Sequence, residues 1–344
     1  MSIRSAGRCG SASARCSSEL GGTLAPSALY RPHHRREGGG VSEDLPFDRR
    51  LRRLRRDRAA LAGADADYLV RHAADELLER LDLVTRRFSR ALDLGTGRGY
   101  LAGRLRERGL DVVSLDAGAR FAAAAGGVQG DEDRTPMAEG AFDLVVSVGA
   151  LDTVNDLPGA LILARRALRP DGLFLAAFAG AGSLPRLRAA MAAADEAEGG
   201  ATPRLHPQID VRAAGDLVQR AGFALPVVDA ERVEVRYSGL PSLVADLRAM
   251  AATNILASRL RRPLGRRGYA AAIAAFAAAA EPDGKTRERF EILHLSGWAP
   301  APDQPKPARR GSATASLAEA LAPPRNGEGD QPQAGGGGPP LQRL

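Results

Sequence analysis

An acid lies inside an otherwise apolar run just ahead of three alternating glycines. In ALDLGTGRGYLAGRL (residues 91–105), Asp93 stands two positions before Gly95, Thr96 separates Gly95 from Gly97, and Gly99 precedes Tyr100. Glycines at this density let a ligand come close to backbone. A dinucleotide fingerprint, G-x-G-x-x-G, needs glycine where Tyr100 stands, and a phosphate loop needs a following Gly-Lys-Ser/Thr that is absent. A buried carboxylate is costly unless it is paired. An anionic pyrophosphate beside Asp93 would raise that cost, whereas an ammonium or sulfonium group would lower it. Acid-x-Gly-x-Gly-x-Gly therefore points to S-adenosylmethionine.

Further acids follow in order. Asp116 closes a second apolar run, where a carboxylate can accept from both ribose hydroxyls. Asp131, Glu132 and Asp133 precede Pro136, where an acid can accept from an adenine amino group, and Ser147 near the end of FDLVVSV (142–148) joins the expected cofactor set. Taken singly, each acid reads as an ordinary surface residue; their order at successive strand ends favours the binding role. Methyl transfer is an in-line displacement in which positioning supplies much of the rate, so no strong catalytic signature is required. The substrate-side candidates are Asp152 in LDTVNDLP, His206 in RLHPQID and Tyr237 in VRYSGLP. Each has a plain structural reading too: a helix cap or loop acid, a loop histidine, a packed strand tyrosine. His72 and His294 read as structural. No metal site is expected, because His72, His206 and His294 are far apart in sequence and form no two-histidine, one-carboxylate pattern.

These residues need a scaffold, and the pattern supplies one. RALDLG, DVVSLD, FDLVVSV and LFLAAFAG read as short buried strands; GYLAGRLRERG, LPGALILARRALRPDG and VRAAGDLVQRAGF read as helices between them. This alternation predicts an α/β fold with a Rossmann-like, mostly parallel sheet and helices on both faces. In such a sheet the ligand lies beyond the C-terminal strand ends. VVDAERVEVRY and FEILHLSGW lack the alternating rhythm and suggest an antiparallel strand at one end. DYLVRHAADELLERLDLV (67–84) is an amphipathic helix with Leu69, Ala73, Leu77, Leu78 and Leu81 on one side, and YAAAIAAFAAAA (269–280) a packed one. FDRRLRRLRRDRAALAG (47–63) carries seven arginines, but no aromatic residue interleaves for base stacking. It reads as a solvated helix with an inward stripe of Leu51, Leu54, Ala60 and Leu61, and no nucleic-acid partner is expected.

The 344-residue chain carries a net charge of +7, with lysine only at Lys285 and Lys306, a composition suggesting a GC-rich bacterial gene. Residues 1–44 and 299–344 are rich in Gly, Ser, Arg, Pro and Ala and are expected to be disordered, leaving residues 45–298 as the folded unit. The N-terminal stretch is composed like a mitochondrial transit peptide; a start codon placed upstream of a bacterial gene is the preferred reading. Cys9 and Cys16 both fall there, so the folded unit has no disulfide. No apolar run is long enough for a transmembrane helix.

LDLGTGRG, SLDAGAR, DEDRTPMAEGAFDLVVS and RALRPDGLFL resemble the motifs of class I, type 11 S-adenosylmethionine-dependent methyltransferases. FDRRLRRLRRDRA, VNDLPGAL, VQRAGF, VEVRYSGLPSLVADLRAMAATN and ILHLSGW resemble the complex I assembly factor 5 family and its bacterial relatives, which is similar in turn to the malonyl-carrier-protein methyltransferase of biotin synthesis. The resemblance implies a seven-stranded sheet, S-adenosylmethionine as cofactor, and methyl transfer to a protein side chain or a carrier-bound small acid. It implies two alternatives: an arginine hydroxylase and assembly factor for respiratory complex I (NADH:ubiquinone oxidoreductase), or a non-catalytic binding module. The location implied is the cytoplasm for a bacterial protein and the mitochondrial matrix for a eukaryotic one. Where the family usually carries Leu-His-Trp-Val before Asn-Asp-Leu-Pro, this chain has Asp152 and Thr153 at the His-Trp positions.

Overall fold

The computed structural model describes residues 45–62 and 67–302. Four apolar runs become parallel strands: β1 (Arg90–Leu94), β2 (Asp111–Asp116), β4 (Phe142–Val148) and β5 (Leu168–Ala179), joined by the short β3 (Val128–Gln129). With β6 (Ala224–Tyr237) and β7 (Thr286–Trp298) they form one seven-stranded sheet in the order β3-β2-β1-β4-β5-β7-β6. β7 runs antiparallel to both neighbours. The antiparallel strand expected at one end thus lies one position in from it, and β6 is the edge. All seven residues of β4 are buried, as a central strand covered on both faces requires.

Helices cover both faces. α2 (Tyr68–Asp82) and α3 (Tyr100–Glu107) pack on one side, where Ala73, Leu77, Leu78 and Leu81 meet Leu144, Val146 and Leu175. α5 (Leu157–Ala167) and α7 (Val211–Arg220) pack on the other, capped by Asp156 on the Gly159 amide at 2.8 Å and Asp210 on the Ala213 amide at 2.7 Å. α4 (Ala119–Ala124) follows β2. A third apolar cluster joins α6 (Pro185–Glu198), α8 (Leu240–Ala249) and α9 (Arg266–Ala277) to Tyr237 and Phe290. These helices leave or enter the sheet beside the C-terminal ends of β5 and β6 and roof that end of it.

α1 (Arg49–Ala59) begins where Asp48 accepts the Leu51 amide at 2.9 Å. Its inward face overturns the expected leucine stripe. Leu54 and Leu61 are 43% and 68% exposed, while Arg52 and Arg56 are buried at 5% and 7% with Ala59. The reason is electrostatic: α1 lies against the acids at the ends of β2 and β3, and arginines, not leucines, match that surface. The expectations for residues 1–44 and 303–344 lie outside the described residues. Among the described residues no helix is long and apolar enough to cross a membrane.

Candidate functional site

The strand order reverses between β1 and β4, so the loops leaving these strands diverge and open a crevice. Gly95 takes φ +77°, and a Cβ there would lie 2.2 Å from the Ala150 Cβ, so only glycine lets the two loops close up. Gly97, at φ +53°, meets only the Gly95 carbonyl oxygen, 3.9 Å from where a Cβ would sit, and donates its amide to Asp116 Oδ2 at 2.9 Å. Gly99 precedes α3 in the left-handed region. Asp93 is 2% exposed, its Oδ2 is sealed from solvent, and the Thr96 hydroxyl lies beside the same carboxylate. Burial and the like charge of Asp116 push the Asp93 carboxyl up to about 6. This half of the crevice is a small space of about 50 Å³ lined by Asp93, Gly95, Thr96, Gly97 and Phe121.

The other half is filled by α1. Arg56 reaches Asp116 with Nε to Oδ1 at 2.7 Å and Nη2 to Oδ2 at 2.6 Å. The Gly118 amide adds a bond to Oδ1 at 2.7 Å. With Gly97, all four acceptor positions of the carboxylate are taken. Burial alone would raise the Asp116 pKa, but Arg56 and the two amides outweigh it and hold the group below the usual carboxylate range. The Arg56 guanidinium also lies 5.5 Å from the Phe121 ring centroid. Arg52 donates to Glu132 Oε2 at 2.7 Å, to the Ala150 carbonyl at 3.2 Å and to the Thr153 hydroxyl at 3.1 Å. Arg53 binds Asp131 at 2.6 Å, and Arg49 binds both oxygens of Asp133 at 2.6 and 2.8 Å. Residues 49, 52, 53 and 56 form one i, i+3, i+4, i+7 stripe, and the stripe meets Asp133, Glu132, Asp131 and Asp116.

A second cavity, of about 270 Å³, adjoins the first: Val70, Val148, Gly149 and Met250 line both. Its walls are mostly apolar, including Leu187 and Met191 of α6 and Leu247 of α8. Asp152 lines it, and its Oδ1 is sealed from solvent without a partner. Burial pushes this carboxyl up to about 6. Glu291 lines it too, while the one lining guanidinium, Arg204, is held by Asp195 at 2.6 Å.

A methyltransferase-domain family matches residues 92–176. Arginine-hydroxylase NDUFAF5 of Danio rerio is 34% identical, covering 85% of this chain and 93% of its own, and the Homo sapiens protein is 35% identical, covering 79% and 82%. Malonyl-[acyl-carrier protein] O-methyltransferase of Laribacter hongkongensis is 34% identical, covering 76% of this chain and 93% of its own. The chain belongs to the S-adenosylmethionine-dependent methyltransferase family that these relatives share. Its cofactor is S-adenosylmethionine, and the crevice fits that group: the sealed Asp93 Oδ2, with the Thr96 hydroxyl beside the same carboxylate, suits a cationic amino-acid moiety, and Gly95 and Gly97 leave backbone approachable.

Other expected site residues of this methyltransferase lie elsewhere or are engaged. The Ser147 hydroxyl donates to the Leu94 carbonyl at 2.8 Å, tying β4 to β1, and lines neither cavity. His206 lines the larger cavity, but its Nε2 accepts the Ile255 amide at 3.0 Å, and burial and Arg55 hold its pKa near 4. Tyr237 is 2.7 Å from the Tyr68 hydroxyl, packs within the roof cluster and lines neither cavity. Sequence reasoning missed Arg52, Arg56, Phe121 and Glu291. The arginine stripe at helical spacing was the available signal, since it copies the pattern by which apolar helix faces are recognised.

Proposed function

We infer that the chain transfers a methyl group from S-adenosylmethionine to a basic protein side chain, with an arginine guanidinium as acceptor. Asp93, Gly95, Thr96, Gly97 and Gly99 hold the amino-acid half of the cofactor, and Asp116, Asp131 and Glu132 the nucleoside half. The observation that carries the acceptor assignment is the sealed, unpartnered Asp152 Oδ1 in an otherwise apolar cavity adjoining the cofactor crevice. A carboxylate acceptor would need a free cation there, and Arg204 is already paired. The bound cofactor supplies an electrophilic methyl group. Asp152 accepts a hydrogen bond from the guanidinium, orients one nitrogen, and takes its proton as the new N–C bond forms. With its pKa near 6, it is ionised but still basic enough at neutral pH.

Arg56 and Arg52 occupy oxygens of Asp116 and Glu132 that cofactor binding needs, so the nucleoside half competes with them for those carboxylates. The relatives named arginine-hydroxylase favour a second reading, oxygenation of the same guanidinium. The resemblance to the complex I assembly factor 5 family supports a complex I subunit as the protein bearing that arginine, with the reaction in the cytoplasm of a bacterium or the matrix of a mitochondrion. Incubation with S-adenosylmethionine and complex I subunits, read by mass spectrometry, separates the readings. Addition of a methylene mass with released S-adenosylhomocysteine supports methyl transfer, addition of one oxygen supports hydroxylation, and neither change refutes the acceptor assignment.

A further inference from the structure

The larger cavity has two acids on its wall, and the acceptor arginine uses one of them. The other polar side chains there are spent inside the fold. Arg204 is held by Asp195, and His206 accepts the Ile255 amide at 3.0 Å. Asn254 accepts the Leu256 amide and donates to the Pro203 carbonyl, both at 2.9 Å. The Ser183 hydroxyl donates to the Glu291 carbonyl at 3.0 Å, Thr253 accepts from Arg55, and the Gln208 oxygen accepts from Arg188 at 3.1 Å. Among the lining residues, carboxylate oxygens without a hydrogen bond remain on Asp152 and Glu291.

Glu291 has a seat built for it. Its Oε1 accepts the Gly182 amide at 2.9 Å, which fixes the carboxylate against the loop after β5. A Cβ on Gly182 would lie 2.4 Å from Oε2, and one on Gly180 3.1 Å from Oε1, so glycine at both positions makes room for the group. Oε2 is left with Arg232 Nε at 3.9 Å, beyond hydrogen-bond range and on a side chain 70% exposed, where solvent screens the charge. An acceptor oxygen held on a mostly apolar wall calls for a donor, and a cationic donor satisfies it best. Asp152 follows β4 and Glu291 lies on β7, with Ala177, Phe178 and Ala179 of β5 lining the cavity as well. The strands that lead to the two acids are two apart in the sheet, about 10 Å, which is wider than one guanidinium.

We propose, on the reading that Asp152 receives the acceptor arginine, that Glu291 holds a second cationic side chain of the same acceptor segment. The chain then selects an arginine with another basic residue near it. Anchoring the second cation at Glu291 fixes the register of the segment across the cavity, so the arginine arrives at Asp152. Extended chain rises about 3.3 Å per residue, so the second basic residue stands about three positions from the arginine.

The test uses the full chain with S-adenosylhomocysteine and three synthetic peptides, followed by calorimetric titration. One peptide carries a single arginine, one adds lysine three residues to either side of it, and one adds glutamate there instead. The lysine peptide should bind about tenfold tighter than the single-arginine peptide, and the glutamate peptide more weakly than either. Glu291→Gln keeps an oxygen for the Gly182 amide, so the fold tolerates it, and should erase the difference. Gly182→Ala, which pushes the carboxylate aside and leaves its charge, should shrink the difference too. Equal binding of the peptides to wild type, or a lysine preference that survives in Glu291→Gln, overturns the role of Glu291 and leaves arginine as the acceptor. A lysine preference that Glu291→Gln erases, with no mass added to the peptide in S-adenosylmethionine, keeps the Glu291 contact and removes arginine as the acceptor. Binding of none of the peptides removes both.

Discussion

Asp93 makes cofactor binding pH-dependent, and the sign follows from its environment. A cationic ligand favours the ionised carboxylate, whereas the empty protein holds the carboxyl at about 6. At pH 5 about one molecule in ten has Asp93 ionised, so the dissociation constant for S-adenosylmethionine at pH 5 should be about tenfold that at pH 7.5. Calorimetric titration at the two values measures this, and a flat profile would remove Asp93 from the contact. Arg56 sets a second dependence at the same scale. Arg56→Met leaves Asp116 buried without its cation, which costs about 3 kcal/mol of stability. The same change frees two acceptor positions for the ribose hydroxyls, so cofactor affinity should rise while the melting temperature falls. If both fall together, Arg56 holds the cofactor instead of competing with it. Asp152→Asn should lower turnover on an arginine-bearing acceptor by on the order of a hundredfold with unchanged cofactor affinity, which single-turnover assays with separate binding titrations distinguish.

At the scale of elements, the sequence foretold some placements and not others, for identifiable reasons. The glycine loop and α2 were legible because their patterns, alternate glycines after an apolar strand and a leucine face at helical spacing, depend on neighbours in the chain. α1 was misread because its correct face depends on acids about 60 to 84 positions away: Arg56 meets Asp116, and Arg49 meets Asp133. Thr153 shows the same coupling. Its hydroxyl accepts from Arg52, so the departure from the resembled His-Trp pattern supports the α1 seat. His206 was legible as a pocket residue but not in its role. Its Nε2 is spent on the Ile255 amide, which links the cavity wall to the segment after α8. His206→Ala should therefore strand that amide and lower stability by about 1–3 kcal/mol without moving the pH profile of turnover. A profile that loses a limb in this variant would restore His206 as a base.

For the whole molecule, the parallel half of the sheet followed from alternating strands and helices, while the roof of α6, α8 and α9 did not, because its apolar residues gain meaning only when three distant helices meet over Tyr237 and Phe290. The assembled fold encloses two carboxylates, Asp93 and Asp152, with raised pKa values on adjoining cavities. A raised carboxyl stabilises the fold at low pH and loses that contribution as pH rises through about 6, so near neutrality the empty protein carries two destabilising charges. Asp93→Asn removes one of them. The ligand-free variant should be more stable than wild type at pH 7.5 by about 3 kcal/mol, a gain that shrinks to nothing near pH 4. Wild type should gain about 2.7 kcal/mol from cofactor at a hundred times its dissociation constant, a rise of roughly 5–10 °C for a unit of this size. Asp93→Asn should lose most of that rise. Melting curves at the two pH values, with and without cofactor, test both halves. A variant that keeps the full rise, or one less stable than wild type when empty, would show that the fold does not strain Asp93 in order to bind a cation.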